Sequence, residues 1–307
     1  MTAAGGRVWL PYEDWSPGRH PPSRLSVDVY DGSADPPAGI EEVEVYVLPY
    51  MAGPGPARLM AAMPSLRFAQ TLTAGVDDVR PLVPAGVTLC NARGVHDAST
   101  AELVVALVLA SLRGIPDFVR SAGRGEWDGR RRDSLADRTV LIVGYGSIGR
   151  ALEQRLTGFE CVVRRVARHA REGVEPLDAL PDVLPDADVV VVLVPMTDAT
   201  RGLVDAGFLA RMRDGALLVN VSRGPVVDTD ALLAEVVPGR LRAALDVTDP
   251  EPLPPGHPLW SCPNVLVSPH VGGNSTAFLP RAERLVAEQL RRYVAGEPLL
   301  NAVTAAP

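Results

Sequence analysis

Thr139-Val-Leu-Ile-Val-Gly-Tyr-Gly-Ser-Ile-Gly149 decides the fold of this chain. Thr139–Val143 is an apolar run that predicts a strand, and the spacing of residues 150–156 predicts a helix. The first glycine between them permits a tight turn, the second lets the backbone approach a pyrophosphate, and the third allows close packing of the helix on the strand. The start of the helix supplies free N–H groups to the phosphates. The residues that we expect to bind a dinucleotide here are Gly144, Tyr145, Gly146, Ser147, Ile148 and Gly149.

Alternating strands and helices follow this stretch. Short apolar runs predict further strands, and helical segments separate them. Such an alternation is typical of a parallel, doubly wound sheet. The predicted strands are Val162–Val166, Asp188–Val194, Ala216–Val221, Ala243–Val247 and Val265–Ser268.

The first hundred residues alternate β-type runs with Pro/Gly turns. Ala57–Met63 predicts a short helix, and Ala98–Arg113 predicts a buried helix that leads into the next domain. Thr276–Val294 has helical spacing and is expected to return to the first domain. The predicted strands of this part are Leu25–Tyr30, Val43–Leu48, Leu66–Leu72 and Val87–Asn91.

The predicted fold class is therefore α/β, with two doubly wound, Rossmann-like domains. Residues 98–274 form the NAD(P)-binding Rossmann domain in this prediction. That domain is inserted into a flavodoxin-like substrate domain made of residues 1–97 and 275–307.

The composition excludes several function classes. The 307 residues are 47% hydrophobic and 22% charged, which is enough apolar material for two cores. The formal net charge of -7 argues against a nucleic-acid surface, which needs a basic face. No lysine occurs in the sequence, which excludes Schiff-base lysine chemistry and a Walker-type P-loop.

The cysteines and apolar stretches predict a cytoplasmic protein with no membrane partner. Cys90, Cys161 and Cys262 are an odd number without metal-ligand spacing, which favours a reducing compartment and no metal site. The longest apolar stretches, Leu103–Leu112 and Val189–Val194, are shorter than the roughly 20 residues that span a bilayer. The first ten residues lack the pattern of a signal peptide.

Arginines near the second strand of the nucleotide domain predict the cofactor. An NAD site should place an acid about 20 residues beyond the glycine loop, where it binds the ribose 2′-OH. Arg165 stands there instead, with Arg164 and Arg168 beside it. A guanidinium can bind a 2′-phosphate in bidentate fashion, so NADP(H) is the predicted preference and NAD(H) the alternative. A solvated basic strand end without a ligand is the competing interpretation.

Arg223, Glu251 and His270 each lie just past a predicted strand end. Reduction of a 2-oxo acid by hydride transfer requires a cation for the carboxylate, a proton carrier for the oxygen, and an acid that orients the carrier. Histidine suits proton transfer because its charge changes near neutral pH. The competing interpretations are that the arginine lies in a surface turn and that the histidine has only a structural role. Asp246 and Asp249 are the competing acids.

The segment from about residue 65 to 300 resembles the D-2-hydroxyacid dehydrogenase family, and most closely its glyoxylate/hydroxypyruvate reductases. The first 60 residues are much less distinctive. The motifs that carry the resemblance are Val143–Gly149, Val194–Gly202, Asn220–Asp228, Leu245–Pro255, His257–Leu259 and Ser268–Gly273.

This resemblance implies a role for each candidate. Arg223 would bind the substrate carboxylate and polarise the 2-oxo group, His270 would donate the proton, and Glu251 would accept a hydrogen bond from His270. N–H groups of Ala74 and Gly75 would give the carboxylate a second anchor. A homodimer through Ala98–Arg113 is also the family expectation. The further residues implied to bind the cofactor are Val194, Pro195, Thr200, Val221, Ser222, Asp246 (at the nicotinamide carboxamide) and Gly272.

The predicted function is thus an NADPH-preferring oxidoreductase that reduces small 2-oxo acids, such as glyoxylate or hydroxypyruvate, to D-2-hydroxy acids. Two alternatives stand beside it. One is a nucleotide-sensing, corepressor-like interaction protein, although the chain lacks the basic or extended tails that this role favours. The other is a formate dehydrogenase-like enzyme, which Glu251 disfavours because those enzymes carry Gln at the matching position.

Overall fold

A computed structural model describes residues 6–16 and 18–303. The chain divides into two compact units. Unit 1 contains the residues up to His96 and those from Thr276 onward, and unit 2 contains Asp97–Ser275. The divisions lie one residue from the boundaries expected from the sequence.

Both units are built from short parallel strands. The strands are β1 (Arg7–Leu10), β2 (Ser26–Val29), β3 (Val43–Val47), β4 (Phe68–Gln70), β5 (Thr88–Cys90), β6 (Thr139–Val143), β7 (Val162–Ala167), β8 (Glu175–Pro176), β9 (Val189–Val192), β10 (Leu217–Asn220), β11 (Arg242–Leu245) and β12 (Val265–Val267). The α-helices are α1 (Asp97–Arg113), α2 (Ile115–Gly123), α3 (Ser147–Leu156), α4 (Leu180–Val183), α5 (Ala206–Arg211), α6 (Thr229–Val236) and α7 (Phe278–Ala295).

Unit 1 contains a parallel sheet in the order β2-β1-β3-β4-β5, which is the flavodoxin-like order. Successive residues of a strand point to opposite faces. Val8 and Leu10 therefore join the core beneath α7, while Trp9 joins a second core on the other face. The connections on that second face are short 3₁₀ segments, of which Pro56–Ala62 is the longest. The predicted helix Ala57–Met63 is this segment.

The sequence did not predict strand β1, which the structure contains. It lies in the middle of its sheet, where Arg7 pairs with Ser26 on β2 and with Val43 on β3. Its apolar residues, Val8–Leu10, form a run of three without alternation, which is shorter than the roughly four to eight residues by which a buried strand is recognised in sequence. Helix α2 was likewise not predicted.

Unit 2 contains a parallel sheet in the order β12-β11-β10-β9-β6-β7-β8. Leu141 and Val143 pack on the face covered by α4, α5 and α6, whereas Val140 and Ile142 pack on the face covered by α1 and α3. The sheet is therefore doubly wound, as predicted. Strand order reverses between β6 and β9, and ligands of such sheets bind outside the carboxyl ends of the strands at this reversal.

Among the described residues, no single helix combines the length and apolarity needed to cross a bilayer. Only α1 and α2 taken together, across a bend of 63°, meet both conditions.

Candidate active site

The glycine loop after β6 has little room for side chains. Gly144 has a φ of 99°, and a Cβ at this position would lie 2.6 Å from the backbone of Leu193 and Val194. A Cβ on Gly149 would lie 3.1 Å from the Tyr145 ring and 3.3 Å from Ile142. The first and third glycines thus serve the turn and the helix–strand packing that the sequence predicted.

The second glycine faces open space, because a Cβ on Gly146 would meet nothing closer than 4.0 Å. Gly146 is also the N-cap of α3, and no side chain caps the helix there. The first N–H groups of a helix have no intrahelical acceptor and attract anions. The loop therefore fits the pyrophosphate of a dinucleotide.

Tyr145 fixes the outer side of this loop. Its hydroxyl donates a hydrogen bond to Glu153, and the guanidinium of Arg165 binds the same carboxylate. Arg165 and Arg171 lie over the Tyr145 ring, at 5.8 and 5.6 Å from its centroid. The hydrogen bond from Arg165 holds the pKa of Glu153 below its usual range, so this carboxylate is ionised at neutral pH. The Arg171 side chain also donates to the carbonyl of Tyr145.

The three arginines proposed from the sequence differ in their surroundings. Arg164 binds Glu175 at 2.8 Å and Asp186 at 3.5 Å, and Arg165 is held by Glu153. Arg168 is exposed, follows the last residue of β7, and makes no hydrogen bond or ion pair with the part of the chain that the structure describes. Of the three guanidiniums, that of Arg168 alone has all its donors available to a ligand.

Arg223 follows β10 by three residues, and Asn220 holds its backbone. Asn220 is 1% exposed. Its side-chain amide donates to the Arg223 carbonyl at 3.0 Å and accepts from the N–H and hydroxyl of Ser222 at 3.1 and 2.7 Å. The guanidinium donates to the Ser222 carbonyl at 2.8 Å. The predicted cofactor residue Ser222 thus uses its hydroxyl within this turn.

Gly224 joins the Arg223 loop to the loop after β11. A Cβ on Gly224 would lie 1.9 Å from the carbonyl oxygen of Thr248 and 2.9 Å from the nitrogen of Asp249. No side chain fits here without moving one of the two loops. Thr229 adds a second link, since its hydroxyl donates to the Asp249 carbonyl at 2.9 Å.

Glu251 and His270 meet across the ends of β11 and β12. A carboxylate oxygen of Glu251 lies 2.6 Å from His270 Nδ1. His270 has a φ of 54°, a left-handed conformation that non-glycine residues adopt only when their surroundings enforce it.

Asp246 enforces this conformation. Asp246 is 3% exposed, and its carboxylate accepts from the Ser268 hydroxyl at 2.6 Å, from Val271 N–H at 2.9 Å and from Gly272 N–H at 2.8 Å. Its carbonyl accepts from His270 N–H at 2.8 Å. Both oxygens of the predicted nicotinamide-binding carboxylate therefore already hold the His270 loop.

The electrostatics link the three predicted catalytic side chains. The hydrogen bond to His270 holds the pKa of Glu251 below its usual range, and the positive charge of Arg223 lowers it further. Glu251 is thus an anion at neutral pH with two basic partners. The structure thus brings Glu251 and His270 into contact, and Arg223 acts on Glu251 through its charge; the catalytic role of the three side chains stays a prediction.

The remaining predicted cofactor residues lie at the same edge of the sheet. The Thr200 hydroxyl donates to the Pro195 carbonyl at 2.6 Å and accepts from Thr197 N–H at 2.9 Å, which closes the loop after β9. A Cβ on Gly272 would lie 3.0 Å from a carboxylate oxygen of Asp246. The others, Val194 and Val221, flank the strand ends of β9 and β10.

In unit 1, the loop after β4 contains Ala74 and Gly75. The carbonyls of Thr73, Ala74 and Gly75 all accept hydrogen bonds from neighbouring groups. The N–H groups of Ala74 and Gly75 make no hydrogen bond within residues 6–16 and 18–303. Free N–H groups of consecutive residues form a concavity that suits an anion.

Several residues that shape the site had no role in the sequence-based prediction. Asn220 opens the motif that contains Arg223, and its place at the end of a strand was the only signal for it. Glu153 and Arg171 gave no signal, because their bonds to Tyr145 depend on the fold. Within the described part of the chain, no group of three His, Cys, Asp or Glu side chains could hold a metal ion.

Comparison with known proteins agrees with this geometry. Residues 105–272 match the model of the D-isomer specific 2-hydroxyacid dehydrogenase, NAD binding domain. The chain belongs to the D-isomer specific 2-hydroxyacid dehydrogenase family. It is therefore an NAD(P)-binding oxidoreductase, and the family predicted from the sequence is confirmed.

Three relatives illustrate the similarity. A glyoxylate reductase of Thermofilum pendens is 33% identical over 256 residues, which cover 78% of this chain and 76% of the relative. A glyoxylate/hydroxypyruvate reductase B of Citrobacter koseri is 38% identical over 229 residues, with 70% of each chain covered. A family member from Xanthobacter autotrophicus, solved in complex with NADPH and MES, is 33% identical, covers 98% of each chain, and has a TM-score of 0.80.

Proposed function

We propose that this protein is an NADPH-preferring reductase of small 2-oxo acids, such as glyoxylate and hydroxypyruvate, and that it produces D-2-hydroxy acids. The observation that carries the proposal is the 2.6 Å contact between Glu251 and His270, with the positive charge of Arg223 acting on the same carboxylate. Relatives named glyoxylate and glyoxylate/hydroxypyruvate reductase support the substrate class.

Arg223, His270 and Glu251 have different roles in this proposal. Arg223 binds the substrate carboxylate and stabilises the negative charge that develops on the 2-oxo oxygen. His270 donates a proton to that oxygen through Nε2, because Nδ1 is held by Glu251. Glu251 fixes the tautomer and orientation of the ring and stabilises its protonated form. When bound, NADPH supplies the hydride.

Ala74 and Gly75 give the substrate a second anchor in this proposal. Their free N–H groups would donate hydrogen bonds to the substrate carboxylate. The proposal is supported by the bonding of the Thr73 and Ala74 carbonyls, which share peptide groups with these N–H groups and point the opposite way from them.

Purified protein mixed with NADPH and hydroxypyruvate or glyoxylate should lower the near-ultraviolet absorbance of NADPH, because hydride leaves the reduced nicotinamide. The product of hydroxypyruvate reduction should be the D-isomer on chiral chromatography. A protein that binds NADPH, detected by its fluorescence, but turns over none of a panel of 2-oxo acids would contradict the proposal and favour an interaction protein. Activity with formate and NAD(P)⁺ alone would favour a formate dehydrogenase.

The NADPH preference is assigned to Arg168. Arg165, which the sequence favoured, is bound to Glu153, whereas Arg168 follows β7 with its donors available. Arg171 adds positive charge beside the same loop through its bond to the Tyr145 carbonyl. These observations support a 2′-phosphate site formed by Arg168 and bordered by Arg171. The complex of a relative with NADPH supports the use of NADP(H).

The substitution Arg168→Ala should raise KM for NADPH by about tenfold to a hundredfold, because it removes a charge-assisted hydrogen bond to the 2′-phosphate. KM for NADH should not change. Arg164→Ala is the matched control, since that arginine is bound to Glu175 and should leave both values unchanged. An equal rise in KM for NADPH and for NADH in Arg168→Ala would refute the role of Arg168 in binding the 2′-phosphate.

We also propose a homodimer in a reducing cytoplasm. The three free cysteines support the compartment, and a disulfide in the native protein would contradict it. For the dimer, α2 and the loop after it expose apolar side chains beside the helix that the sequence favoured: Ile115 is 46% exposed, Val119 67% and Trp127 99%. Ile115 and Val119 lie one turn apart on α2, and exposed apolar side chains on one face of a helix are typical of protein interfaces.

Sedimentation of the native protein should therefore give the mass of two chains. Val119→Glu should shift that mass towards one chain, because it places a charge in the apolar face. Val237→Glu is the control, as Val237 is equally exposed but lies after α6. A wild-type protein of one-chain mass would rule out the homodimer, and identical behaviour of the two variants would rule out an interface through α2.

A further inference from the structure

In the loop that follows β4 in unit 1, the backbone carbonyls of Thr73, Ala74 and Gly75 all accept hydrogen bonds. The Thr73 carbonyl accepts from the Thr71 hydroxyl and from Ala92 N–H, both at 2.9 Å. The Gly75 carbonyl accepts from the Thr73 hydroxyl at 2.7 Å. The Ala74 carbonyl accepts from the side-chain amide of Asn91 at 2.8 Å.

Asn91 is the one distant side chain among these donors. It follows β5, seventeen residues from Ala74 in sequence. Its amide cannot rotate freely, because its oxygen accepts from Arg93 N–H at 3.2 Å and its nitrogen then faces Ala74. Its backbone is also fixed, since Asn91 N–H donates to the Asn301 carbonyl at 3.1 Å.

The direction of the Gly75 N–H follows from this bond. The Ala74 carbonyl and the Gly75 N–H belong to one planar, trans peptide group, in which C=O and N–H point in opposite directions. Asn91 holds the carbonyl and so turns the N–H away from β5. The peptide would otherwise rotate easily, because glycine permits a wide range of φ.

We propose that Asn91 is a positioning residue for the substrate carboxylate. It acts through the peptide between Ala74 and Gly75, and it holds the Gly75 N–H ready to bind an anion. The inference rests on the proposed function, in which this loop is the second carboxylate anchor. Because the group recognised is the carboxylate itself, Asn91 affects every 2-oxo acid alike, whatever its side chain.

Asn91→Ala should raise KM for hydroxypyruvate and for glyoxylate by about tenfold each, because a lost hydrogen bond frees the peptide. The value of kcat should change little, since a carboxylate is bound equally in the ground and transition states. KM for NADPH should not change. The dissociation constant of oxamate, measured by calorimetry with NADP⁺ present, should rise by the same factor as KM.

Asn91→Asp and Thr88→Ala complete the experiment. The aspartate has the same size but places an acceptor against the Ala74 carbonyl, so its effect on KM should exceed that of alanine. Thr88, exposed on β5, is the control and should behave as wild type. The melting temperature of each variant shows whether it is folded.

Several results would overturn the proposal. They are an unchanged KM in folded Asn91 variants, a fall in kcat at constant KM, or an equal rise in KM for NADPH, which would indicate a general structural role. Absence of oxamate binding to the wild-type protein would overturn it as well. Oxamate binding that Asn91→Ala weakens, in a protein without reductase activity, would support the inference and refute the proposed function instead.

Discussion

The hydrogen bond between Glu251 and His270 is the interaction on which the chemistry of this site depends. An isolated imidazole at a strand end has two tautomers and free rotation about its side-chain bonds. A carboxylate at 2.6 Å selects the tautomer with a proton on Nδ1 and leaves Nε2 for a substrate. The same contact, together with the charge of Arg223, keeps Glu251 ionised.

This contact is a consequence of the parallel sheet in unit 2. Parallel strands end at one edge, so the loops after β10, β11 and β12 lie side by side there. Two further contacts fix the loops: Asp246 holds the His270 loop through three hydrogen bonds, and Gly224 lets the Arg223 loop touch the Thr248 carbonyl. Buried polar groups with every partner present make a rigid arrangement, as positioned catalysis requires.

The sequence predicted what local patterns encode. The sequence predicted the glycine loop, the apolar strands of unit 2 and the positions of Arg223, Glu251 and His270 after strand ends. Each of these features depends on a few neighbouring residues. Other features depend on distant partners, which local patterns do not show. Arg165 occupies the expected position in sequence but is bound by Glu153 on α3. Strand β1, only four residues long, becomes recognisable as a strand once β2 and β3 pair with it.

The most direct test of the central claim is kcat for 2-oxo acid reduction in Glu251→Gln. Glutamine has the size of glutamate but no charge, so it cannot stabilise the protonated ring from which His270 transfers its proton. The account predicts that kcat falls by about a hundredfold, while binding of NADPH, measured by its fluorescence, is unchanged. A folded variant with the kcat of the wild-type protein would contradict the account, because Glu251 would then have no part in proton transfer.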